Sequence, residues 1–211
     1  MKLKYKVLIG LEIHIELKTK SKIFCSCSTE FGSEPNTQVC PVCLGLPGSM
    51  PVLNRKVVEY SIMSGLALNC EISKKIDFDR KSYFYPDLVK GFQTTQYHNP
   101  ICKNGYIEIL DEDINKKIRI KQIHMEEDTG KTVYDEDDSL YLDYNRSGTP
   151  LIEIVTQPDI NSSKELQLFL EKLKSTIEYT EVSDCRMEEG SLRCDVNINI
   201  IDEHSNKRTE I

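Results

Sequence analysis

No stretch of this chain is apolar for the roughly 20 residues that span a bilayer, and the amino terminus MKLKYKVLIG runs straight into a strand-like pattern with no signal-peptide core. The expected setting is the cytoplasm or the equivalent organelle compartment, with no membrane partner. Basic charge is also scarce. Lys and Arg total 27 against 34 Asp and Glu, a net charge of -7, with an acidic cluster at Asp135 to Asp138. Such a chain lacks a broad cationic surface for a phosphate backbone, so any nucleic acid must be held by local patches or outside this stretch. Internal repeats and low-complexity linkers are missing, and no GxxxxGK[ST] run offers a P-loop. What is there, 211 residues that are 39% hydrophobic and 29% charged, is the composition of an ordinary globular protein with one large domain or two small ones.

Eight cysteines in a reducing compartment do not read as a disulfide framework, and four of them cluster. Cys25 and Cys27 form a CxC, Cys40 and Cys43 form CPVC, and twelve residues rich in Gly, Ser, Pro and Asn separate the pairs. Two thiolate pairs closed by a loop give tetrahedral sulfur ligation, which suits zinc, and nothing in the cluster supplies the open position or base of a catalytic zinc. A structural zinc knuckle over about residues 24–45 is expected; the alternative is four unrelated small apolar residues. Cys70, Cys102, Cys185 and Cys194 have no such spacing and read as buried core thiols.

Periodicity sets the fold class. In GLEIHIEL, Leu11, Ile13, Ile15 and Leu17 alternate with Glu12, His14 and Glu16, so one face covers a core and the other carries polar groups. Asn54 caps a helix running to about Leu68 with Val58, Ile62 and Leu66 as its stripe, and Asn69 stops it. Ser162 and Glu165 form a capping box before a second helix whose Leu166, Phe169, Leu170, Leu173 and Ile177 recur at helical spacing. GYIEIL, KKIRIKQI, TPLIEIV and RCDVNINI read as strands. The class is α+β, mainly antiparallel sheet with few helices, and no convincing domain boundary interrupts it.

Chemistry-bearing residues concentrate in four further runs. FDRKSYFYPD mixes Arg80 and Lys81, a phosphate-holding pair, with aromatics that a half-buried strand end explains equally well. HMEEDTGK brings His124, Glu126, Glu127 and Asp128 to a strand end, with a solvated acidic turn as the alternative. NRSGTPLIEIV has a polar loop followed by Glu153 inside an apolar run, where an unpaired carboxylate costs several kcal/mol. VSDCRMEEGSLRCD gathers Arg186, Glu188, Glu189 and Arg193 around a glycine turn. A Glu/His row on a first strand with carboxylates ending later strands suggests a hard-cation cage for magnesium and, on residues alone, metal-dependent phosphoryl transfer.

The runs GLEIHIEL, FDRKSYFYPDL, GYIEI, HMEEDTGK, NRSGTPLIEIV and MEEGSLRCDVN, in order along essentially the whole chain, resemble the amino-terminal cradle domain of the B-subunit family of aspartyl/glutamyl-tRNA amidotransferases. The resemblance implies a fold related to the glutamine synthetase and guanido kinase catalytic sheet, and a ligase that uses glutamine as amide donor. ATP would phosphorylate the side-chain carboxylate of mischarged Glu-tRNA(Gln) or Asp-tRNA(Asn). Ammonia from a partner amidase (glutaminase), the A subunit of a heterotrimer that also holds a small C subunit, would then displace the phosphate. It implies magnesium at Glu12, His14, Glu127 and Glu153, Lys81 with Glu127 near the mouth of an ammonia path, and Arg146, Gly148 and Thr149 as nucleotide or acceptor-end contacts. The four-cysteine zinc site would be a staple. Family members carry a helical region and a tail domain after the cradle, whereas this chain stops at KRTEI in what reads as a hairpin strand, so a fragment that does not complete the reaction alone is expected. Two rival readings remain from other classes: a zinc-stapled interaction module and a metal-dependent hydrolase.

Overall fold

A computed structural model describes residues 5–134, 139–202 and 208–210; the acidic cluster at Asp135 to Asp138 lies outside them. Seven strands form one sheet in the order β11 (Arg208–Glu210), β10 (Leu192–Asp202), β1 (Tyr5–Glu16), β9 (Pro150–Thr156), β6 (Ile114–Glu127), β5 (Cys102–Asp111), β2 (Glu71–Ile72), with every pairing antiparallel. Two hairpins stand apart from it, β3 (Asp79–Ser82) with β4 (Phe92–Thr95) and β7 (Lys131–Tyr134) with β8 (Leu140–Asp143). Helices α1 (Arg55–Ala67) and α2 (Ser163–Tyr179) complete an α+β architecture that is mostly antiparallel sheet. The carboxy-terminal run pairs with β10 as the expected hairpin strand.

One sheet face is apolar because β1 alternates as its sequence does. Leu11, Ile13, Ile15 and Leu17 are buried with Ile123, Met125, Ile152, Ile154, Phe169, Leu173 and Ile177 in a single core beneath the helices. α2 buries Phe169, Leu173 and Ile177, and the Ser162 hydroxyl accepts from the Glu165 amide as the capping box requires. α1 differs from its expected stripe. Its cap is Asn54, and Val58 and Ile62 of that stripe pack half-buried against the core, but the fully buried face is Val57, Ser61, Ser64 and Gly65, while Leu66 is exposed. Small residues win there because the helix lies close to β5: a Cβ added at Gly65 would meet Cys102 Sγ at 2.3 Å. Cys70, Cys102 and Cys185 are the buried thiols expected, and Cys194 is only half-buried. Phe84 and Tyr85 sit in an exposed turn beyond β3, not on a half-buried strand end.

The opposite face is polar, and a β-bulge decides which residues reach it. Against β9, Ile120 pairs with Thr156 and Gln122 with Val155, leaving Lys121 as an extra residue. An extra residue shifts the alternation by one and swaps every later side chain between faces. Ile118 and Ile120 are buried before the bulge and Ile123 and Met125 after it. His124 and Glu126 therefore face the polar side.

Candidate metal centre and its supporting shell

Across four strands the backbone register places Arg193, His14, Glu153 and His124 in one row: Arg193 opposite His14, His14 opposite Glu153, Glu153 opposite His124. The next row adds Glu16 and Glu126 on either side of Leu151. Side chains directly opposite lie about 4.5–5.5 Å apart at Cβ, so the polar atoms converge. His14 Nε2 is 3.3 Å from Glu153 Oε2 and 3.8 Å from Glu126 Oε2. His124 Nε2 is 3.1 Å from both Glu126 Oε1 and Glu153 Oε2. One ligand atom each from His14, Glu126 and Glu153 lies within 4.8 Å of the others.

Two carboxylates and one imidazole suit a hard divalent cation that keeps further positions for water or phosphate oxygens. Burial opposes charging of His14 and His124, but hydrogen bonds and charges from Glu153 and Glu126 outweigh it, raising His14 above the ordinary imidazole range and His124 to about 9. Burial likewise pushes Glu153 up, yet the two imidazoles prevail and hold its carboxyl well below the usual range. Glu153 is the paired carboxylate that its place in an apolar run demanded. Around it, Thr95 Oγ1 and Gln93 Nε2 donate to the two oxygens of Glu126 at 2.6 and 3.1 Å.

Of the four residues that the resemblance implies for magnesium, the structure brings two together. His14 and Glu153 belong to the cluster. Glu12 shares the face but lies off it, accepting from Asn197 Nδ2 at 3.3 Å. The β6 carboxylate that joins them is Glu126. Glu127 points the other way, as neighbours in a strand do, and accepts from Lys90 and from the Thr94 amide. Nor is HMEED a solvated turn, since His124, Glu126, Glu127 and Asp128 are all buried. Lys81 is exposed opposite Gln93, so the lysine on Glu127 is Lys90, from the turn before β4. That buried ion pair borders a 450 Å³ cavity between the knuckle and the β3–β4 hairpin, which Arg80, Phe78, Phe92 and Gly148 also line.

Arg146, Gly148 and Thr149 shape the strand end. Arg146 donates to the carbonyls of Thr129 and Gly130 and lies 3.5 Å from Asp128. Gly148, at φ +84°, donates to the Asp128 carbonyl. Thr149 is buried, its carbonyl accepting from the Asp128 amide. Arg193 reaches over to Asp128 at 2.8 Å. Beside them burial, then the Asp128 carboxylate, push Glu16 up to about 8.

The four cysteines meet. Cys25, Cys27, Cys40 and Cys43 place their sulfurs within 4.8 Å of one another, with Cys40 Sγ and Cys43 Sγ 3.9 Å apart, near the ~3.8 Å edge of a zinc–sulfur tetrahedron with 2.3 Å bonds. Hydrogen bonding from Cys25, helped by the backbone of Cys40 and by Lys22, overcomes burial and draws Cys43 down to about 4, as a thiolate ligand needs.

Sequence reasoning missed Lys90, Gln93, Thr95 and Lys22, none of which stands in a run that alternation or spacing marks. It named Glu126 and His124 without a role; the extra residue Lys121 was the signal that separates them from Glu127.

Fold and clusters together define a class: an antiparallel-sheet domain with a candidate hard-cation site on its polar face and a thiolate staple at the edge. Residues 7–211 match the family described as the GatB/GatE catalytic domain, and the chain belongs to that family. It is 62% identical over 198 residues to the B subunit of the aspartyl/glutamyl-tRNA(Asn/Gln) amidotransferase of Caldanaerobacter subterraneus subsp. tengcongensis, covering 94% of this chain and 42% of that protein. The corresponding B subunit from Finegoldia magna is 56% identical over 206 residues, 98% of this chain and 44% of the relative. The chain thus spans less than half the length of these relatives.

Proposed function

We propose that this chain is the catalytic domain of a tRNA-dependent amidotransferase working in protein biosynthesis, a ligase that converts Glu-tRNA(Gln) and/or Asp-tRNA(Asn) to the amidated form. The observation that carries the reading is the convergence of His14, Glu126 and Glu153 on the polar face of a domain from this family. In the proposed reaction the side-chain carboxylate of the aminoacyl group takes the γ-phosphoryl of ATP, releasing ADP. Ammonia then attacks the acyl phosphate carbon and phosphate leaves, forming the amide. The ammonia comes from a glutaminase partner, the A subunit, in a heterotrimer with a small C subunit, in the cytoplasm or the equivalent organelle compartment.

His14, Glu126 and Glu153 would hold magnesium, which would neutralise phosphate charge and polarise the transferred group. The chain's own residues supply positioning. Thr95, Gln93 and His124 fix both oxygens of Glu126, so that the carboxylate cannot swing away from His14. Arg193 and Arg146 restrain Asp128 at the strand end, and the 145–149 loop, whose amides at Asn145, Ser147, Gly148 and Thr149 are bonded within the fold, would meet a phosphate or an acceptor end through the Arg146 side chain. The Cys25, Cys27, Cys40, Cys43 knuckle would hold zinc as a staple.

The test is ATP-dependent amidation of Glu-tRNA(Gln) by the full-length protein with its glutaminase partner. ADP formation that depends on Glu-tRNA, with amide product when ammonium is added, supports the reading. Turnover without ATP, or hydrolysis of the aminoacyl ester as the product, would point to a hydrolase.

A further inference from the structure

Lys22 is among the largest side chains with no exposed surface in the described residues. Burying an ammonium without a counter-charge is costly enough that such groups are paired or lose their proton. Among the described residues Lys22 makes no ion pair with a carboxylate. Its Nζ instead has three acceptors: the Gln38 carbonyl at 2.7 Å, the Tyr144 carbonyl at 3.5 Å and Cys43 Sγ at 3.6 Å. Three acceptors match the three donors of an ammonium, where a neutral amine has only two. The sulfur is the one partner able to carry negative charge. A divalent zinc with four thiolates has a net charge of -2, so the knuckle itself would need a cation buried against it.

We propose that Lys22 is the counter-ion of the four-cysteine knuckle and the pin that joins it to the 143–149 loop. The inference rests on the zinc reading of the cysteines and adds to it. One ammonium touches the knuckle at Gln38 and Cys43 and the loop at Tyr144. The two segments are stitched around it by the Asn145 side chain, which accepts from the Gln38 amide at 2.8 Å and donates to the Glu34 carbonyl at 2.7 Å, and by Asn36, which accepts from the Tyr144 amide. The loop then pairs with the end of β6 through Gly148 and Thr149 at Asp128, two residues beyond Glu126. Lys22 is thus a positioning residue: the Cys43 sulfur holds the ammonium, the ammonium holds the loop, and the loop holds the strand end that carries Glu126.

The experiment is zinc affinity of the intact chain by competition with a chelator, comparing unmodified protein, Lys22→Met and Cys40→Ser/Cys43→Ser. Lys22→Met keeps the length and apolar stem but removes the charge and the N–H···S contact. It is expected to weaken zinc at least tenfold while the double serine variant binds none. Unchanged affinity in Lys22→Met, with one zinc in the unmodified chain, overturns the Lys22 role and leaves the zinc site standing. Absence of zinc from the unmodified chain overturns both. Should Lys22→Met not fold, the unmutated protein substituted with ¹¹³Cd and ¹⁵N-lysine is decisive: cadmium coupling to an Nζ proton is expected, and an uncoupled Lys22 resonance overturns the proposal.

Discussion

Nε2 of His124 lies 3.1 Å from Oε2 of Glu153, and the two residues face each other directly across the β6–β9 ladder. Imidazolium charge on His124 offsets the two carboxylates beside it. Burial opposes that charge, but Glu126 and Glu153 raise the group from 6.5 to about 9. A raised folded value contributes stability that is complete below the unfolded value of 6.5 and is lost as pH climbs through about 9. Glu16, lifted from 4.5 to about 8 by burial and Asp128, binds its proton more tightly when folded and so acts in the same direction. In the metal-free chain the contributions of His124 and Glu16 should therefore fall between about pH 6 and pH 9, while Cys43, drawn down to about 4 from 9.0, contributes in the opposite direction over the same interval. Urea midpoints measured across that interval check it, and His124→Gln should flatten the upper part of the slope. A His124→Gln variant whose midpoint follows the same slope as the unmodified chain would contradict the pairing.

Gly105→Ala should destabilise the fold. A Cβ there meets Cys70 Sγ at 2.2 Å and the Leu68 carbonyl at 2.7 Å, and the second atom belongs to backbone that cannot swing aside. Overpacking of this kind costs about 1–3 kcal/mol, read as a lowered denaturant midpoint at constant slope. A gain in stability would show that β5 and the end of α1 yield more easily than their packing implies.

Those contacts illustrate what sequence can and cannot announce. The alternation in GLEIHIEL named the core face of β1 and its polar face, and Glu153 betrayed a partner by being charged inside LIEIV. Both signals are local. On α1, Val58 and Ile62 pack on the core as their spacing implies, but Leu66 does not, because the closeness of β5, which selects Ser61, Ser64 and Gly65, is a tertiary fact. That Glu126 and not Glu127 lies beside His14 and Glu153 has a subtler cause. The bulge at Lys121 exists only against β9, and without it the alternation that buries Ile118 and Ile120 would carry Glu127 to the polar face. Lys90 and Lys22 gave no signal at all, since each is one lysine among many until folding buries it.

Replacing Glu127 by Gln should affect folding more than cation binding. Its carboxylate is 4% exposed and pairs with Lys90, itself 11% exposed. Breaking a buried pair from one side leaves the other charge uncompensated and costs about 3–5 kcal/mol. Equilibrium unfolding of Glu127→Gln and of Glu127→Gln/Lys90→Met separates the two effects. The double variant should recover part of the loss; a single variant as stable as the unmodified chain would mean that the pair is solvated.

Removing the knuckle should loosen a defined region. Cys40→Ser/Cys43→Ser is expected to lose bound zinc and amide protection over residues 36–45 and 143–148, the segments joined through Asn36, Gln38 and Asn145, while β1 and β9 keep theirs. Hydrogen exchange reads this directly. Equal zinc content in variant and unmodified protein would remove the staple from the account.

The cation site on the polar face is the central claim, and Mn²⁺ binding to the chain, followed by electron paramagnetic resonance, tests it most directly. In this proposal His14, Glu126 and Glu153 would supply the ligand atoms, and Glu127 points to the other face. Glu126→Gln keeps the shape and removes one ligand charge, so it should weaken Mn²⁺ at least about tenfold, or about 1.4 kcal/mol. Glu127→Gln, studied well below its unfolding midpoint, should bind within about threefold of the unmodified chain, as substitutions outside the ligand set do. Loss of binding in Glu127→Gln with full binding in Glu126→Gln would contradict the assignment and return Glu127 to the cage.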